Sequence, residues 1–185
     1  MGRTYDTIED RLGAFVLAQP VFFVASAPLG TDGLVNCSPK SNDGELVVLA
    51  PRKVAYLDRT GSGIETVAHL RENGRIVLMF CSFEGPPRVV RLHGRGSVVV
   101  PHDSEFDALT QAFPAKDATT ARSVVVVDVT RISDSCGYGV PLMGFTSHRT
   151  QLGHWAATKG EDGLASYRAE RNAESLDGLP GLPAS

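Results

Sequence analysis

Thr60-Gly-Ser-Gly-Ile-Glu-Thr66 puts three hydroxyl side chains and two glycines directly ahead of a segment that reads as a helix, running into His69-Leu-Arg-Glu-Asn-Gly-Arg75. A loop of small residues with free backbone N–H groups, ending at a helix N-terminus, is suited to hold a phosphate. Arg59 stands beside it, and upstream lies a second polar-basic element, Val35-Asn-Cys-Ser-Pro-Lys40. A phosphate dianion takes several charge-assisted hydrogen bonds, and Lys, Ser and Thr supply them. The two elements lie on either side of one predicted strand, which points to a phosphate-bearing cofactor rather than a simple turn. Taken singly they say less. Ser62 to Thr66 reads first as a capping box, and Ser38-Pro39-Lys40 as an exposed turn. Only their pairing favours the phosphate.

The other reactive residues form no catalytic constellation. Cys37, Cys81 and Cys136 are odd in number and lack a C-x-x-C pair, so neither a disulfide framework nor a zinc site is expected. Cys37 adjoins the polar-basic element, but no His–carboxylate pair is placed to activate it; a small buried or half-buried thiol is expected. Cys81 is expected in the core, and Cys136 packing a loop at the barrel end. The five histidines show no metal-binding spacing, and His69 reads as a surface or packing residue. Arg88, Arg91, His93 and Arg95 sit on an alternating strand. Arg88 and Arg91 are read as functional, His93 and Arg95 as structural or interface residues.

These residues need elements to position them. A helix is predicted over Thr7 to Gln19, capped by Thr7 and stopped by Pro20. A strand over Val21 to Ala27 returns through the Gly30-Thr-Asp-Gly33 turn as a hairpin into Leu34-Val35-Asn36. Strands follow at Glu45 to Leu49 and Lys53 to Asp58, then a helix from Glu65 to Asn73 with Gly74 as its C-cap. Arg75 to Phe80 and Arg88 to Arg95 are strands, with a bulge or kink at Gly96 before Ser97 to Val100. A helix over Ser104 to Phe113, capped by Ser104, precedes the longest β-run, Arg122 to Ile132. Two polar helices are predicted near His148 to Lys159 and Glu161 to Asn172, with Trp155 and Leu152 facing the barrel, before an irregular tail, Asp177 to Pro183. Short strands without a βαβ rhythm indicate a mainly β protein, a barrel with helical additions.

At 185 residues the chain has the length of about one domain, enough for a core without staples. A net charge of −3 offers no basic field for nucleic acid or an anionic membrane. Met1 to Asp6 is too polar for a secretory signal, and no apolar run approaches the ~20 residues of a membrane span. A cytoplasmic protein is expected.

The order of these motifs resembles the pyridoxamine 5′-phosphate oxidase-like, FMN-binding split-barrel family. The resemblance rests on Val-Asn-x-Ser-Pro-Lys, Tyr-x-Asp-x-Thr-Gly-Ser-Gly-x-Glu-Thr, His-Leu-Arg-Glu-Asn-Gly-Arg and Arg-x-x-Arg-Leu-x-Gly-Arg-Gly, and covers roughly Ala14 to Pro141. The tail around Asn172 to Gly181 resembles that of one subgroup. The family implies a Greek-key-like, six-stranded split barrel over residues 1–145, with 146–185 as a helical extension of the same domain. It implies a homodimer with two flavin sites at the subunit interface and a small-molecule substrate. By position, Ser38 and Lys40 would lie by the flavin or its phosphate. Ser62, Gly63 and Thr66 would hold the phosphate with Arg59 assisting, and Val35 and Asn36 would line the ring through backbone groups. Arg88 and Arg91 would come from a strand facing the cofactor or the dimer seam. No residue is singled out as catalytic, because a flavin carries its own redox chemistry. The chain departs from the true oxidase at its end, where Asp177-Gly-Leu-Pro-Gly-Leu-Pro-Ala-Ser185 replaces a basic substrate-binding segment, so pyridoxamine phosphate is not carried over. Relatives also bind the deazaflavin F420 or haem, and a flavin carrier or sensor without turnover is the alternative to an FMN-dependent oxidoreductase.

Overall fold

A computed structural model describes residues 2–8, 10–114 and 120–182. The described elements, in order, are β1 (Thr4–Tyr5), α1 (Asp10–Ala18), β2 (Val21–Ser26), β3 (Asn36–Ser41), β4 (Leu46–Ala50), β5 (Lys53–Arg59), α2 (Glu65–Asn73), β6 (Arg75–Cys81), β7 (Val89–Val99), α3 (Phe106–Thr110), β8 (Ala121–Ser135) and α4 (Gln151–Arg171). The strands form one antiparallel sheet in the order β3-β2-β6-β7-β8-β5-β4, with β1 added to β8. Its eight strands exceed the six of the expected barrel, partly because the two-residue β1 is counted.

The sheet curls on itself as a split barrel. Phe22 on β2 stacks on Phe80 of β6 and meets Tyr56 of β5 edge-on, at centroid distances of 5.6 and 5.5 Å. β2 and β5 are far apart in strand order, so this contact exists only because the sheet closes around its inner face. Alternation builds that face: Phe22, Val24 and Ser26 are buried along β2, and Val54 and Tyr56 answer from β5. Ile8 and, from α1, Leu12 and Val16 join the same core. A second cluster on the outer face (Ala55, Leu57, Phe113, Val124) is covered by Phe106 and Leu109 of α3.

Several expectations shift by a few residues. The return strand after Gly33 is Asn36–Ser41, so Ser38, Pro39 and Lys40 lie on an edge strand, not in a turn. Pro39 is tolerated there because β3 pairs only with β2. β7 is continuous through Gly96, and the register breaks between His93 and Gly94. A Cβ at Gly94 would lie 2.4 Å from the Asp128 carbonyl oxygen. Gly96 answers a different need: a Cβ there would meet Leu70 of α2 at 2.8 Å, so its bareness lets α2 sit on β7. α3 starts later than expected, with Glu105 rather than Ser104 at its N-cap. Gly74 caps α2 in the left-handed conformation, φ 69°, as its sequence position indicates. The two predicted C-terminal helices are present too, joined in α4 across Gly160, whose backbone is non-helical at φ 66°.

Candidate functional site

Curling brings the β3 edge towards β5, and the gap is bridged by charge. Lys40 Nζ lies 2.9 Å from Asp58 Oδ1, and Arg122 Nε lies 2.8 Å from Asp58 Oδ2. Asp58 is fully buried. Burial pushes its carboxyl up, but the charges of Lys40 and Arg122 and their hydrogen bonds outweigh this and hold it at about 2. Lys40 also lies over the Tyr56 ring. Lys40 is thus the bolt across the barrel's split, a role invisible until the sheet closes.

Next to that bolt lies a cleft of about 880 Å³. Pro39, Lys40 and Ser41 of β3 form one wall, and Glu45, Leu57, Arg59, Thr60 and Gly61 another. The segment from Phe145 to His154 closes the third, where His148 Nδ1 lies 2.9 Å from Ser41 Oγ. Arg59 is held by Glu45 at 3.0 Å and donates to Thr120 Oγ1. Burial raises the Glu45 carboxyl, and the charge of Arg59 opposes it.

The Thr60-to-Thr66 loop leads from this cleft into α2. Thr60 donates to the Thr120 carbonyl at 2.9 Å and accepts from Arg168 Nε at 2.9 Å. Asn172 Nδ2 donates to the Gly61 carbonyl at 2.9 Å. Ser62 and Gly63 are exposed. The N-cap of α2 is Ile64, and no side chain caps the helix. The capping-box reading of Ser62 is therefore not realised, and the first N–H groups of a nine-residue helix carry no side-chain cap. Thr66 is buried in the first turn and accepts from Asn36 Nδ2 at 2.9 Å.

Of the ten residues singled out, one group lies on the inner face of β3 and around the start of α2. Asn36 and Ser38 are half-buried on the face shared with Lys40, while Val35 precedes the strand and is 75% exposed. Arg59, Ser62, Gly63 and Thr66 lie at or beyond the end of β5. Arg88 and Arg91 are elsewhere. Arg88 clamps Tyr5 and Asp134, at 2.9 and 3.1 Å, and lies over the Phe15 ring. Arg91 donates to Ser135 Oγ at 3.2 Å. Cys37 is exposed on the outer face of β3, because alternation turns it away from Asn36 and Ser38. Cys136 is likewise exposed rather than packed, and Cys81 is in the core.

Sequence reading missed His69. It is neither at the surface nor merely packed: it is fully buried, with Nδ1 3.0 Å from Ser26 Oγ and Nε2 3.4 Å from Asp177 Oδ2. A signal existed in the spacing, since His69 follows Thr66 by three on the buried face of α2. Asp177 gave none, because the tail containing it looked irregular. That tail is a tight hairpin instead, with Ser175 N–H bonded to the Leu179 carbonyl and Glu174 bridged to Pro180. Among the described residues no three His, Cys, Asp or Glu side chains are grouped to hold a metal, and no helix is long and apolar enough to cross a membrane.

Residues 8–136 match the family described as pyridoxamine 5′-phosphate oxidase. A curated relative from Aspergillus flavus, pyridoxamine 5′-phosphate oxidase family protein ustO, is 42% identical over 194 aligned positions, spanning 96% of this chain and 77% of the relative. Among solved structures, HupZ of Group A Streptococcus aligns with a TM-score of 0.52 at 19% identity, over 68% of this chain and 91% of HupZ. An FMN-binding protein from Syntrophomonas wolfei aligns with a TM-score of 0.50 at 14% identity, over 65% of this chain and 80% of that one. At such identities these two structures speak for the fold.

Proposed function

This chain belongs to the pyridoxamine 5′-phosphate oxidase family, and from that premise we propose that it is an FMN-binding flavoprotein, an oxidoreductase that exchanges hydride between the flavin and a small organic substrate. The observation that carries the reading is the uncapped start of α2, beside the cleft and within the matched residues. The donor set fits a phosphate ester: the Ser62 and Thr66 hydroxyls and backbone N–H groups at Gly63 and the first turn of α2, with the Asn36 amide orienting Thr66. The positive end of the helix favours a dianion there. Arg59 and Lys40 contribute positive potential from the side, although each already holds a carboxylate. Ser38 and the backbone at Val35 and Asn36 would border the ring.

When bound, the flavin itself supplies the hydride chemistry. The chain's part is to bind the phosphate, orient the ring against the cleft and limit water there. Arg88 and Arg91, held by Asp134 and Ser135, are read as acting at the seam of a homodimer. We read residues 1–145 as the flavin-binding unit and 146–185 as the extension that completes its cleft.

The test is the spectrum of the purified protein with mass spectrometry of whatever it releases on denaturation. The expected result is flavin absorbance and free FMN, with oxidation of a reduced nicotinamide in the presence of an artificial acceptor. Haem or F420 in its place overturns the cofactor assignment. FMN without turnover leaves a carrier or sensor.

A further inference from the structure

The buried polar chain behind α2 has a direction. Asp177 carries only acceptors, so the proton on His69 Nε2 faces it across 3.4 Å. In the neutral imidazole Nδ1 then accepts from the Ser26 hydroxyl at 3.0 Å. The Ser26 oxygen accepts from Asn36 Nδ2 at 3.4 Å, and the second Nδ2 hydrogen goes to Thr66 Oγ1 at 2.9 Å. The Asp177 carboxylate thereby sets the His69 tautomer and the Ser26 proton, and the Asn36 amide, donating to Ser26 and Thr66, joins them to the side chain nearest the proposed phosphate. Thr66, having accepted, keeps its own proton to donate.

Asp177 acts a second time on the same segment, for its other oxygen accepts the Leu34 N–H at 2.9 Å, two residues before Asn36. The tail that presents it is itself fixed. Arg71 donates to the Gly181 carbonyl, and Leu182 N–H bonds the Asn172 carbonyl at 2.9 Å. Gly181 packs so closely that a Cβ there would lie 2.8 Å from Ile64, the N-cap of α2.

We propose that Asp177 and His69 are positioning residues for the flavin phosphate: the C-terminal hairpin, through the Asp177–His69–Ser26–Asn36 chain, fixes the Thr66 hydroxyl in the orientation that binds it. The proposal rests on the flavin reading above. Neither residue touches the ligand; the relay through His69 acts at the phosphate end, whereas Asp177 also holds the Leu34 segment next to the backbone that would border the ring, so His69→Leu is the phosphate-selective variant.

The experiment compares the wild-type chain with His69→Leu and Asp177→Ala, each titrated separately with FMN and with riboflavin, which lacks the phosphate. His69→Leu weakens FMN binding about tenfold, the loss of one hydrogen bond's worth of order, while riboflavin affinity changes less than twofold. Asp177→Ala weakens FMN at least as much. Equal loss for both ligands in His69→Leu, or no loss for FMN in either variant, overturns the positioning role. Wild type that fails to bind FMN overturns the flavin reading and, with it, the phosphate role. Amide hydrogen exchange separates the two failures: in Asp177→Ala the Leu34 amide exchanges faster while the β7 and β8 core amides do not. An unchanged Leu34 amide refutes the clasp itself, whatever the cofactor.

Discussion

Lys40 and Thr66 look equivalent in the sequence, each a phosphate ligand in the making, yet they belong to unlike networks. Lys40 is part of a charged triad with Asp58 and Arg122, closing the split of the barrel around a carboxylate with no access to water. Thr66 ends a hydrogen-bond relay running from Asn36 through Ser26 and His69 to the Asp177 carboxylate in the tail. Buried charge is costly to leave unpaired, so the triad commits its members to stability. Single hydrogen bonds contribute modestly but fix proton direction, so the relay can serve binding without deciding whether the barrel closes. Residue type alone does not separate a bolt from a ligand; the partner does.

The sharpest way to break this contrast is Asp58→Ala. It leaves the buried Arg122 and the half-buried Lys40 without their counter-charge, and urea unfolding should show a loss of roughly 3–5 kcal/mol. Cutting the relay at Asp177 should cost about 1 kcal/mol. Similar losses for the two would erase the distinction. Lys40→Ala is a poor probe of cofactor binding for the same reason, because it strips a counter-charge from Asp58.

Acid gives the next largest effect. The Asp58 carboxyl is held at about 2 against an ordinary 3.8. A depressed carboxyl contributes stability that is fully present above its unfolded value and is lost as pH falls through the folded one. The window is therefore about pH 4 down to about 2, and the contribution lost is about 2 kcal/mol. Asp58→Asn should flatten this part of the stability–pH curve. A wild-type curve already flat below pH 4 contradicts the triad.

The smallest stability effect belongs to Ser62→Ala. Ser62 is exposed and does not cap α2, so unfolding should move by less than about 0.5 kcal/mol. FMN affinity should still fall roughly tenfold, the loss of one hydrogen bond to a charged group. A change in stability without one in affinity would return Ser62 to a local structural role.

Much of the fold was legible because it follows from local rules. Gly74 as C-cap, Gly160 as the break between two helices, and the alternation of β2 are each decided by residues within a turn of one another. The grouping of Asn36 with Thr66 was also readable, as two polar elements flanking a strand. What was hidden depends on closure. Asp58 looked like the end of an apolar strand until the curl delivered Lys40 to it. His69 looked like a surface or packing residue until a tail more than a hundred positions away supplied Asp177. Short-range turn chemistry misled at Ser38-Pro39-Lys40, where an edge strand tolerates the proline that a turn would also favour. At Ser62 the capping pattern was present, but the helix begins two residues later than a Ser62 cap requires.

One measurement bears on the central claim more directly than any variant: calorimetric titration of flavin-free protein with FMN. Saturable binding of one FMN per chain, with weaker binding of riboflavin, is the expected result. No heat and no saturation up to millimolar FMN would contradict a phosphate site at the start of α2.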